Sequence, residues 1–233
     1  MAAASKHRAL PVVQAKKSFG ARWGVVGLSL AAAAMFAAAF FFPWWRLWLF
    51  APQYPKGLEI SISLTGVAGD VRELNILNHY IGMKGLDLAA VTERRFAAQG
   101  VGLVALLGIA VTLLAGKNWN WVLAAVGLAF PVTFILDSQY WLYTFGHQLD
   151  PKAPLKIPPF TPEMFGTGKI GQFMTFARPE LGFYIALGGV ACLVAAAVLR
   201  HRVCKSCGRA GDCGAVCPSA FIGPHAGEPK AGA

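Results

Sequence analysis

The chain has 233 residues and a formal net charge of +10, yet it is 56% hydrophobic and only 14% charged. A soluble domain carries about 25% charged residues. This composition therefore excludes an ordinary soluble fold, and the positive charge is read against the sides of a membrane rather than as a nucleic-acid footprint.

Residues 1–23 form a basic tail with Lys6, Arg8, Lys16, Lys17 and Arg22 and no acidic residue. Residues 24–42 are an Ala-rich apolar run, the first expected membrane span and a retained signal anchor. Residues 43–95 follow as an expected extracytoplasmic module. It opens on the aromatic sequence PWWRLW, which reads as an interfacial belt. Within it, Leu58, Ile60, Ile62 and Leu64 alternate with Glu59, Ser61, Ser63 and Thr65, the period-two pattern of a strand. Gly66 and Gly69 mark a turn, and Asp70 is the expected N-cap of a helix with an apolar stripe of Val71, Leu74, Leu77 and Ile81.

That helix carries His79 and Met83, four residues apart. On a continuous helix the two side chains would stack on one face. Imidazole with thioether is a soft ligand pair suited to copper or haem iron. The plain alternative is a packed methionine and an ordinary interface histidine, and Gly82 and Gly85 place the helix end close to Met83.

Residues 96–116 and 119–136 are the second and third expected spans, the latter with Pro131 inside it. Residues 137–180 form a long outer loop with Tyr140, Trp141, Tyr143 and Phe145 as a second aromatic belt, then His147 and Asp150, then five prolines between 151 and 162. Those prolines predict an extended, irregular path. Residues 181–199 are the fourth expected span. Arg200, Arg202 and Lys205 follow it at once, so both termini are expected in the cytoplasm. The fold class predicted is an all-α integral membrane protein with four transmembrane helices, a small strand-plus-helix module outside and a Cys-rich tail inside.

The tail, residues 200–233, contains CKSCGRAGDCGAVCP, with Cys204, Cys207, Cys213 and Cys217. In a reducing compartment four clustered thiols bind metal more often than they pair as disulfides. The spacing C-x2-C-x5-C-x3-C-P suits an iron–sulfur cluster or zinc. Cys192 stands apart inside the fourth span as a small apolar packer. No nucleophile triad, carboxylate pair or phosphate-cradling Gly motif is present, so the chain is not expected to be an enzyme.

Two patches carry a resemblance. One is APQYPKGLEI with GDVRELNILNHYIGMKGL, inside 51–86, and the other is FGHQLDPKAPLKIPPFTP, 145–162. They resemble a family of small four-span membrane proteins encoded with nitrous oxide reductase. The resemblance implies a bacterial inner-membrane accessory role in the maturation of, copper supply to, or electron supply to a periplasmic copper enzyme. It implies His79, Met83 and His147 as periplasmic copper contacts, and membrane or periplasmic proteins of that respiratory system as partners. The Cys-rich tail is not part of the family pattern and keeps two other readings open, an iron–sulfur electron-transfer subunit and a structural assembly subunit.

Overall fold

The computed structural model describes residues 12–114 and 119–205. Its elements are α1 (Val12–Ala39), β1 (Trp45–Ala51), β2 (Tyr54–Ser63), β3 (Gly66–Gly69), α2 (Val71–Ile81), a 3-10 turn (Leu86–Leu88), α3 (Val91–Leu114), α4 (Trp119–His147), β4 (Gly166–Ile170), β5 (Phe173–Pro179) and α5 (Leu181–Lys205). The fold is mixed α/β rather than all-α. A five-stranded antiparallel sheet in the order β3-β2-β1-β5-β4 stands beside the helices. Among the described residues two helices are long and apolar enough to cross a membrane, Asn120–His147 and Leu181–Arg202. These two helices associate the chain with a membrane, and the expected four-span architecture is overturned. The apolar part of α1 is shorter, Trp23–Ala39.

The sheet corrects the reading of both outer segments. The run expected to be an irregular Pro-rich loop contains β4 and β5, and β5 pairs with β1 from Trp45↔Pro179 to Phe50↔Met174. The aromatic sequence after α1 is not an interfacial belt. Trp44 and Trp45 are buried, and Trp45 begins β1. The second belt is divided as well, because α4 continues past Asp137 to His147, with Phe145 buried and Tyr140 and Tyr143 exposed.

Two apolar cores result. In the helical core, Ala32, Phe36 and Ala39 of α1 meet Phe183, Ala186, Val190 and Leu193 of α5, with Leu123 and Ala124 of α4. Alanines here let the backbones approach closely. In the second core, Trp45, Leu47, Leu49, Leu58 and Ile60 line one sheet face and pack against Leu74 and Leu77 of α2. Phe134 of α4 packs against both.

Trp44 joins the cores. It is fully buried, and its ring lies 5.5 Å from Phe130, 5.0 Å from Phe134 and 6.0 Å from Phe183. Its Nε1 donates to the Ala39 carbonyl at 2.8 Å, which caps the end of α1. Its backbone N–H donates to Ile62, and its carbonyl accepts from Glu180. Gly182 is required beside it: a Cβ there would stand 2.6 Å from the Trp44 ring and 2.8 Å from the Pro43 carbonyl. Trp44→Ala should cost about 3–5 kcal/mol, read as a loss of unfolding free energy in detergent relative to the unsubstituted protein.

Candidate functional site

Helix α2 is amphipathic, and its two faces have different tasks. Leu74, Leu77 and Ile81 are buried, as the stripe predicts. The opposite face carries Arg72, Ile76, His79 and Tyr80, which line an open groove of about 720 Å³ together with Asn75 and Asp87. Asp70 occupies the N-cap position but does not cap with its side chain. Its Oδ2 instead accepts the Glu59 N–H at 2.9 Å, tying the start of α2 to β2. Asn75 holds the far wall: its Oδ1 accepts the Leu86 N–H at 2.9 Å, and its Nδ2 donates to Asp87 at 3.0 Å.

The helix ends before Met83. Gly82 adopts the left-handed conformation, φ +78°. The Gly82 and Met83 N–H groups turn back to the carbonyls of His79 and Asn78, the hydrogen-bond pattern of a Schellman end. Met83 is therefore past the helix and half-buried, and regular helical spacing does not relate it to His79, which is exposed in the groove.

His147 lies in the last turn of α4. Its ring stacks on Tyr143 at 4.0 Å, and its Nδ1 is 3.0 Å from the Tyr143 carbonyl. A carbonyl only accepts, so Nδ1 is the donor in this contact. The groove around His79 does not include His147.

What the structure does bring together is the two patches themselves. The chain after α4 runs across the end of α2. The Asp150 N–H donates to the Gly82 carbonyl at 2.8 Å, and the Leu155 N–H to the Tyr80 carbonyl at 3.0 Å. Lys84 Nζ donates to Gln148 Oε1 at 2.9 Å. These bonds satisfy carbonyls that the end of a helix leaves without partners. Gly82 is needed for the approach, because a Cβ there would stand 2.8 Å from the Asp150 backbone nitrogen.

Among the described residues no three His, Cys, Asp or Glu side chains gather as a metal site. Of the tail cysteines, Cys204 falls in the last turn of α5, while Cys207, Cys213 and Cys217 lie outside the described residues. The iron–sulfur or zinc expectation rests on them.

Sequence reasoning missed a cluster on the opposite sheet face. Arg46 pairs with Glu59 at 2.6 Å and with Glu180 at 3.3 Å, and Arg178 pairs with Glu180 at 2.9 Å. Both guanidiniums lie over the Trp48 ring, at 5.5 and 5.0 Å. The signal was present in WRLWLF, where Arg46, Trp48 and Phe50 alternate with Trp45, Leu47 and Leu49.

Gly82→Ala combines a positive-φ position with a backbone clash. It should cost more than ~1 kcal/mol and speed proteolysis between residues 148 and 155. Unchanged cleavage there would mean that the strap is held by something other than α2.

No family model matches the chain, and no curated protein matches it significantly.

Proposed function

We propose that this chain is a non-enzymatic accessory protein of the bacterial inner membrane, serving the maturation of, or copper supply to, a periplasmic copper enzyme of the nitrous oxide reductase type. The observation that carries the reading is the union of the two patches. The segments that hold the family resemblance are far apart in sequence, and they meet through Gly82–Asp150, Tyr80–Leu155 and Lys84–Gln148. Idiosyncratic residues that assemble into one surface are best explained by a shared task of that surface.

The same geometry supports a membrane placement. Arg200 donates to Asn120 at 2.6 Å, both side chains buried, so the start of α4 and the end of α5 lie at one level. From Arg200 back to Leu181 a helix rises about 29 Å, close to the roughly 30 Å of a hydrocarbon core. Counted from Asn120, α4 leaves the core near Tyr140, and His147 stands about 10 Å further out. Arg200 and Arg202 at the inner level favour cytoplasmic termini and a periplasmic sheet–helix module.

Copper in this reading is cargo. Imidazole and thioether are soft donors that favour Cu(I), and an incomplete donor set releases the metal readily. The iron–sulfur alternative depends on the tail cysteines, and no feature of the described residues favours it. The bilayer and the proteins of the copper-enzyme system are the partners.

The test is genetic and analytical. In a host that carries this gene beside a nitrous oxide reductase gene, its deletion should leave the reductase depleted of copper, measured as metal per protomer. Reductase fully loaded in the deletion strain would overturn the proposal. His79→Ala with His147→Ala should reproduce the deletion if the histidines handle copper. Full rescue by that double variant would limit the module to docking.

A further inference from the structure

The two ends of the helices differ in charge. No acidic residue occurs in 1–58, 94–136 or 181–211. These stretches include all of α1 and α5, the end of α3 and the start of α4. Among the described residues, the end of the helices away from the sheet therefore carries cations alone. Contacts set the helices there at one level. A Cβ on Gly24 of α1 would stand 3.0 Å from the Leu199 side chain of α5, and Arg200 donates to Asn120 at the start of α4. Trp23 stands at the same level and is 59% exposed, as an aromatic at a membrane interface is. Beyond it α1 continues as a helix back to Val12 through Arg22, Lys17 and Lys16, and α5 continues past Arg202 to Lys205. Counted from Arg200, Arg202 and Lys205 stand about 3 and 8 Å further out, and Lys17 and Lys16 about 9 and 11 Å beyond Trp23. The headgroup layer is roughly 5–8 Å deep on each side of the hydrocarbon. Arg22, Arg202 and Lys205 fall within that layer, and the two lysines lie just past it, where the surface potential of a membrane still acts.

We propose that this end binds the phosphates of anionic phospholipids, gathered by the base of α1 and the end of α5. Five cations with no carboxylate beside them in sequence need an anion, and the anion present at their depth is the lipid phosphodiester. Each Lys or Arg near an anionic surface is worth about fivefold in affinity. Arg200 is not one of the five, because it is buried and held by Asn120. The bound lipid has a structural task. The apolar part of α1, Trp23–Ala39, rises about 24 Å, less than the roughly 30 Å of a hydrocarbon core. Headgroups that hold Arg22 and the lysines fix the depth of this short helix. Trp44, which follows α1, passes that depth on to the sheet. The inference rests on the membrane placement of α4 and α5 and not on the copper reading.

The test uses the full chain in nanodiscs of phosphatidylcholine, with and without phosphatidylglycerol. Native mass spectrometry reads the lipids retained, and hydrogen exchange reads residues 12–22. Phosphatidylglycerol should be retained in preference to phosphatidylcholine, should slow exchange in 12–22, and should do both less well at high salt. Lys16→Gln with Lys17→Gln and Arg22→Gln should lower that preference by more than about tenfold, and Arg202→Gln with Lys205→Gln should lower it as well. Lys56→Gln with Lys156→Gln and Lys169→Gln removes the same charge from exposed positions outside the helices and should leave the preference unchanged. Equal retention of the two lipids, indifference to the α1 substitutions, or an equal loss in the Lys56, Lys156 and Lys169 variant would each overturn the proposal. Protection of 12–22 by a duplex oligonucleotide in phosphatidylcholine discs, with none from phosphatidylglycerol, would also overturn it and assign these cations to nucleic acid.

Discussion

The pairing of β1 with β5 is the constraint on which the rest of the structure depends. It joins residues more than a hundred positions apart in an antiparallel register from Trp45↔Pro179 to Phe50↔Met174. Because β1 follows α1 and β5 precedes α5, the same ladder brings the end of one helix to the start of the other. The Gly182 N–H then closes onto the Pro43 carbonyl, and Trp44 is enclosed by Phe130, Phe134 and Phe183. Backbone ladder and aromatic packing act on one junction, so the sheet and the helical core are expected to lose order together.

The ladder also assigns a task to each sheet face. The inner face is apolar and covered by α2, which orients His79 outward into the groove and delivers the carbonyls of Tyr80 and Gly82 to the strap after α4. The outer face keeps its charged base rung and its exposed aromatic rungs. The groove beside His79 and the exposed aromatic rungs are thus separated by the sheet and by α2, and a change on either face should leave the other intact. That separation follows from strand periodicity alone, since neighbouring residues point to opposite sides.

Elements with a strong local signal were legible in the sequence. The alternation from Leu58 onward is β2, and the stripe of Leu74, Leu77 and Ile81 is the buried face of α2. β1 was hidden because both of its faces carry large apolar residues, so Trp48 and Phe50 mask the alternation of Trp45, Leu47 and Leu49. β4 and β5 were hidden for another reason. GTGKI has little strand propensity of its own, and its partner ladder is β5, which itself depends on β1. Asp70 shows the same limit on a smaller scale: position identified the N-cap, but its carboxylate bonds to β2, a choice made by tertiary structure. For the site, the two patches were visible as unusual sequence, whereas their contact was not. It consists mainly of backbone hydrogen bonds, which leave no residue-type signature.

Hydrogen exchange on the full chain in detergent, resolved at the level of peptides, tests the central claim most directly. If β1 and β5 form one ladder across the two outer segments, amides of residues 45–51 and 173–179 should be slow to exchange and should become fast together as denaturant is added. Rapid exchange in 173–179 while 45–63 remain protected would mean that the second segment is a loop after all. The shared sheet, and both surfaces built on it, would then have to be abandoned.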